Sequence, residues 1–310
     1  MGEKRIVWMD LAKAMGILVV LVVHTGASLG PVTFLGGMFY MPVFFVLAGM
    51  TFSYRPQESF FVFVKKKARR LLVPYFGYNL FLFLVFFLQN NVLAGKVDSA
   101  SFFPLLGILY SRYCLLPQDA VSNVFFLKIL NTPTWFLTGL FVSLVIFWGM
   151  MRICRGDLKK LMILDSGVLL FSVLLHYLCP VLLPWSVDTA FYAVSFLTFG
   201  KVAAQRELVE KIYQRPGILL LLAALFAGLS MVNGSVNMSV AFYGRSMILY
   251  LAVGSLGSLL CMEAGLFAEK HLPVLSRAGA WVGRHTMPIL CLHLLGYSVI
   301  GMVLQAVRGI

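Results

Sequence analysis

Runs of about twenty apolar residues recur along the chain between short charged or Pro/Gly-bearing links, and each run is long enough to cross a hydrocarbon core of about 30 Å. They predict nine spans, at 11–29, 34–53, 71–89, 134–151, 161–178, 187–204, 216–232, 246–263 and 286–306. Segment 264–285 sets Glu269, Lys270, Arg277 and Arg284 around Leu266, Leu272, Val274 and Trp281, which predicts an amphipathic surface helix in preference to a tenth span. In the longest connection, Phe102 to Tyr110 is too short to span and reads as a re-entrant or interfacial piece. The expected fold class is therefore all-α: a polytopic transmembrane helix bundle of nine to ten spans, forming one integral-membrane domain over 1–310. No small-residue cleavage site follows the first span, which is expected to be retained.

Composition agrees, with 60% hydrophobic and 12% charged residues and a mean hydropathy of +0.91. The net charge of +13 needs a place. With the amino terminus in the cytoplasm, segments 1–13, 54–70, 152–160, 201–215 and 264–285 lie inside and hold 20 of the 25 Lys and Arg residues. Such a bias supports that orientation, because positive charge on short loops is retained on the cytoplasmic side. It explains the charge without nucleic acid and leaves membrane lipid or an anionic small molecule as partner. The five cysteines stand singly, with no C-x-x-C pair and no histidine at ligand spacing, so no metal site is expected. Nucleotide-loop, nucleophile-elbow and zinc-protease motifs are absent from the sequence.

Chemistry must then come from polar groups placed in the apolar runs. His24 follows an unbroken apolar stretch, and Lys13 lies eleven residues upstream. At 100° per residue the two share a helical face to within about 20°, separated by roughly 16 Å of rise, with Asp10 about 40° away. Ionisable groups in a span are costly and count as functional candidates. Two plainer readings stand beside that one: a histidine bonded within its helix, and a Lys13–Asp10 pair. A second cluster, Lys65-Lys66-Lys67-Ala68-Arg69-Arg70 ahead of Pro74-Tyr75, reads as a cationic collar at the amino terminus of the third span. Lys67 and Arg70 share a face and suit a phosphate, although a lipid-headgroup anchor has the same composition. Met41-Pro42-Val43-Phe44-Phe45 to Gly49 predicts a kinked, closely packed second span. His293 lies deep in the last span and reads as a helix-bonding residue in preference to a catalytic one. Trp135, Trp185, Tyr192 and Tyr243 fall near the outer boundary, as interfacial belt aromatics or sugar-stacking faces.

These segments resemble membrane-bound acyltransferase family 3, and within it the fucose 4-O-acetylase-like branch. The resemblance covers almost the whole chain. It rests on Asp10-Leu11-Ala12-Lys13 leading to His24, on Met41-Pro42-Val43-Phe44-Phe45 to Gly49, and on Lys67-Ala68-Arg69-Arg70 before Pro74-Tyr75. Weaker echoes are Thr134-Trp135-Phe136-Leu137, Pro184-Trp185-Ser186, the loop from Asn233-Gly234 to Tyr243-Gly244, and Gly283-Arg284-His285 through His293. No one segment is diagnostic; their order is. Lysine stands at Lys13 and Lys67 where many members carry arginine, which keeps the charge and loses the bidentate fork.

The resemblance implies acyl transfer, most often of acetyl from acetyl-CoA, to a sugar hydroxyl of a surface polysaccharide or its lipid-linked precursor in a bacterial inner membrane. It places His24, Lys13 and Asp10 at the chemistry and Lys67, Arg69 and Arg70 on the phosphates of the acyl-CoA. One continuous cavity is then expected to join Lys13, Lys67, Arg70 and His24. A transporter or flippase of glycan precursors would also carry intramembrane charge, but with two related halves or paired broken helices, and neither shows in the sequence. The barrel-like O-acyltransferases would place their histidine late in the chain, against the early position of His24.

Overall fold

The computed structural model describes residues 6–117 and 129–308, so Lys4, Arg5 and Lys128 of the charge reading lie outside the described residues. Among the described residues the chain is helical, with no strand and with an isolated bridge between Asn237 and Phe242. The helices are α1 (Val7–His24), α2 (Pro31–Phe39), α3 (Pro42–Met50), α4 (Phe60–Phe87), α5 (Phe103–Tyr110), α6 (Trp135–Ile153) and α7 (Leu158–Leu178). They continue as α8 (Val187–Gln205), α9 (Leu208–Tyr213), α10 (Pro216–Asn233), α11 (Met247–His271), α12 (Pro273–Arg284) and α13 (Thr286–Arg308).

Eight stretches are long and apolar enough to cross a membrane: α1, Pro31–Met50, Phe60–Val92, Thr132–Ile153, α7, α10, α11 and Thr286–Val307. The ninth expected span forms as α8, 19 residues long but diluted by Asp188, Lys201 and several hydroxyls. Its burial explains the composition. Tyr192, Ala193, Val194, Phe196 and Leu197 are all fully buried, because α3, α6 and α7 enclose the helix and lipid need not solvate it. At one end Asp188 pairs with Arg112; at the other Lys201 donates to the Phe52 carbonyl at 2.9 Å. The helix therefore traverses the bundle. Together with the eight apolar stretches it makes the protein an all-α polytopic membrane bundle.

Each end of the bundle is tied by its own contacts. At the basic end Glu269 accepts the Trp8 N–H at 2.8 Å, satisfying a donor in the first turn of α1, and Arg152 donates to the Pro56 carbonyl. At the opposite end Arg112, 1% exposed, donates to the carbonyls of Leu183 and Ser239 and to Asp188 and Thr189, joining three connections. The α3–α8 crossing depends on two glycines: a Cβ on Gly49 would strike the Leu197 carbonyl, and one on Gly200 the Val46 carbonyl. Small residues of this kind let membrane helices touch backbone to backbone.

Three expectations change. The third span begins at Phe60, capped by Ser59, so Lys65 to Arg70 sit in its second and third turns and not at a helix amino terminus. Five bases in six positions are polar on every face and read as a loop, yet α4, roughly 42 Å long at 1.5 Å per residue, outruns the hydrocarbon core and carries them beyond it. Secondly, the Pro42 kink is a full break: α2 ends at Phe39 and α3 restarts with Pro42 in its first turn, where a missing N–H costs nothing. Thirdly, Tyr192, Tyr243 and Trp135 are not belt aromatics but core, at 0%, 4% and 6% exposure. Segment 264–285 divides into the end of α11 and the separate amphipathic α12, whose Ser276, Ala280 and Gly283 are buried.

Candidate active site

The α12 helix lies close on α1, because a Cβ on Gly283 would overlap the Asp10 carbonyl. That approach brings the following residue, Arg284, to a cavity of about 640 Å³ that Lys13, Lys67 and Arg70 also line. Four cations from α1, α4 and α12 thus surround one space. Asp10, itself buried, accepts from Lys13 at 3.2 Å, as the plainer reading expects, and stands behind the lysine without lining the cavity. Lys67 lies 5.4 Å from the Phe63 ring centre, while Arg70 and Arg284 carry no carboxylate partner among the described residues. The deeper walls are apolar, from Ile17, Phe44, Leu47, Phe136 and Leu140. A cavity with a cationic rim and an apolar interior fits an anionic head on a thin, weakly polar arm.

Arg69 is elsewhere. With Lys65 and Lys66 it lines a separate open groove of about 490 Å³ on the outer side of α4, and Arg70 alone borders both spaces. The run of five bases is therefore split by helical phase, with Lys67 and Arg70 three apart on the inward face.

His24 is the last residue of α1, seventeen steps and so roughly 26 Å from its start. It lines a second cavity of about 330 Å³ with Tyr40, Tyr113, Trp135, Asn237 and Ser239. The expected single cavity is two, and they share Val20, Met41 and Leu290. A third, open groove of about 350 Å³, lined by Gly26, Ala27, Ser28, Gly30, Thr33 and Gly37, meets the His24 chamber at Val23, Tyr40 and Val236. The three spaces form a series along the bundle axis.

The Nδ1 of His24 is 2.8 Å from the Val20 carbonyl. A carbonyl only accepts, so Nδ1 carries the proton and Nε2 presents a lone pair. Burial raises the Tyr113 phenol above its ordinary pKa, with the neighbouring Cys114 adding to the shift, against the pull of Ser239 and Arg112. Tyr113 therefore stays a neutral hydrogen-bond donor beside the chamber. The site can abstract a proton or form an acyl bond at one nitrogen.

The model of the acyltransferase domain of acyltransferase family 3 matches residues 6–308. The chain belongs to that family. No curated protein and no solved structure matches it. The protein is thus a membrane acyltransferase, and its family pattern spans both cavities and the wall between them.

Two residues at or beside these cavities escape a reading along the sequence. Arg284 looks like one more charge on a surface helix. His293 looks like a packing histidine, yet its ring centre lies 5.0 Å from that of His24 at 70° between planes. The signal available was the one that marks His24: an ionisable ring inside an apolar run.

Proposed function

We propose that this acyltransferase moves an acetyl group from acetyl-CoA to a hydroxyl of a glycan or lipid-linked glycan precursor, in a bacterial inner membrane with the amino terminus and basic end in the cytoplasm. The observation that carries the reading is the pairing of a cation-rimmed cavity with a histidine chamber across a wall of three side chains. Lys67, Arg70 and Arg284 hold the phosphates, and Lys13, partly neutralised by Asp10, lies further along the arm. The open Gly26–Gly37 side of the series supports approach of the acceptor from the other end of the bundle.

In the reaction the acceptor oxygen attacks the thioester carbonyl while His24 Nε2 takes the hydroxyl proton. The C–O bond forms, the C–S bond breaks, and the proton passes to the departing thiolate, giving ester and free thiol. A histidine suits the task because its ordinary pKa, about 6.5, lies near working pH. An acyl-histidine would use the same nitrogen.

The test is transfer of radiolabelled acetyl from acetyl-CoA into membrane glycolipid or polysaccharide, comparing wild type with His24→Ala at matched expression. Label in the wild type that falls by about 10²-fold or more in the variant is the expected result. Equal label removes His24 from the chemistry. No label in either, with acceptor present, favours the transport reading.

A further inference from the structure

His293 is 7% exposed, and its Nδ1 faces the carbonyls of Leu290 and Ile289 of its own helix at 2.9 and 3.2 Å. By the argument used for His24, Nδ1 is the donor and Nε2 is a bare lone pair. That nitrogen is buried with no hydrogen-bond partner. Leaving it so is destabilising, because a buried unmet polar atom loses its hydration without replacement, and a leucine or methionine would fill the space without that loss. Here the unmet group belongs to the ring that stands edge-to-face with His24.

Its position is fixed from several sides. Tyr297 packs on the His293 ring at 5.7 Å between centres and donates to the Leu21 carbonyl at 2.8 Å, tying α13 to α1 one turn from His24. Asn131 donates to the Cys291 carbonyl at 2.7 Å on the other side. Leu290, one turn before His293, belongs to the wall between the two cavities. The imidazole is therefore presented to His24 by α13 and not left to swing.

We propose that His293 is a positioning residue whose Nε2 lone pair receives the imidazolium formed on His24 when the acceptor hydroxyl loses its proton. The inference rests on the acyl-transfer reading above. The proton balance does not change: it leaves the hydroxyl, resides on His24 Nε2 with His293 as hydrogen-bond acceptor, and leaves with the thiolate. What His293 adds is a fixed acceptor with no other hydrogen-bond partner, beside a charge that forms inside the bundle, where an ion without a partner is costly. The other rings near His24, those of Tyr40, Tyr113, Trp135 and Tyr297, are phenols and an indole, and Arg112, which reaches Trp135 and Ser239 of the chamber, is already paired with Asp188.

The experiment compares His293→Gln with His293→Met in the full-length protein in detergent. The two side chains match in length and shape, but only glutamine offers a strong acceptor. Acetyl transfer, acetyl-CoA affinity and thermal unfolding are measured on each. Expected is a kcat for the Gln variant within about tenfold of wild type and for the Met variant lower by about 10²-fold or more, with KM for acetyl-CoA unchanged in both. A solvent deuterium isotope effect retained in wild type and Gln and altered in Met would mark the proton step. Equal kcat values for Gln and Met overturn the proposal, as does unfolding of both Met and a second apolar variant, His293→Leu, while Gln stays folded, since that assigns packing. Failure of the wild type to transfer acetyl would instead sink the acyl-transfer reading itself.

Discussion

Removing single charges from α4 separates the inward from the outward face of the basic run. Lys67 is half-buried in the cavity wall, Arg70 lines the same cavity but is exposed, and Arg69 is exposed on the opposite groove. A hydrogen bond to a charged group is worth about 1.5–3 kcal/mol when sheltered, whereas an exposed ion pair is worth about 0–1 kcal/mol. Taking about 2 kcal/mol for Lys67 and about 1 kcal/mol for Arg70, Lys67→Gln should weaken CoA binding roughly 30-fold and Arg70→Gln roughly fivefold. Arg69→Gln should change it by less than about twofold, as a charge facing away through solvent. Calorimetric titration of CoA into the detergent-solubilised protein reads these values directly. Raising salt to about 1 M, where the screening length falls to about 3 Å, should erase the Arg70 effect and leave most of the Lys67 effect. If Arg69→Gln weakens binding as much as Lys67→Gln, helical phase does not divide the cluster and the assignment of the cavity is wrong.

Two further predictions concern what holds the chambers in place. Arg112→Met should destabilise the fold by about 3–5 kcal/mol by leaving Asp188 unpaired, whereas Arg112→Met with Asp188→Leu should be no worse than the single change; thermal unfolding in detergent distinguishes them, and a loss below about 1 kcal/mol would remove Arg112 as the tie of that end. Gly49→Val pushes a side chain into the Leu197 carbonyl and should cost about 1–3 kcal/mol or more. Gly149→Ala, which meets nothing within 4 Å, should be neutral or gain up to about 1 kcal/mol of helix propensity, and equal losses at both sites would contradict the backbone contact.

The spans were legible because apolar runs of the right length have one use in a chain this hydrophobic, and even α8 was placed within a residue of its ends. The start of α4 was not: after Phe60 to Val64 come five bases in six positions, and no apolar stripe marks the continuing helix. In the site, Lys13, His24, Lys67 and Arg70 stood out from local chemistry, since each lies in or beside an apolar run. Arg284 and His293 needed the knowledge that α12 and α13 pack on α1, some 270 residues away in sequence, and that pairing leaves no local trace. The division into two cavities was equally hidden, because Val20, Met41 and Leu290 are ordinary apolar residues until three helices bring them together.

That wall has a chemical consequence. An imidazole able to take a proton from a sugar hydroxyl can take one from water, and a thioester resting beside it would be hydrolysed whenever the acceptor was absent. In the proposed reaction, holding the donor's head in the basic cavity and admitting only the tip of its arm past Val20, Met41 and Leu290 keeps water on the basic side from following and leaves the open side to the acceptor, the kind of exclusion that suppresses side reactions in closed sites. Leu290→Ala tests this, since it removes three carbons from a side chain only 5% exposed and lies on the shared boundary. In the proposed reaction the variant should hydrolyse acetyl-CoA without acceptor severalfold faster than wild type, while acceptor-dependent transfer changes less. Release of free thiol in the absence of glycan measures the first, and label incorporation the second. A variant that loses both in proportion would show that Leu290 shapes the path of the arm and does not guard it.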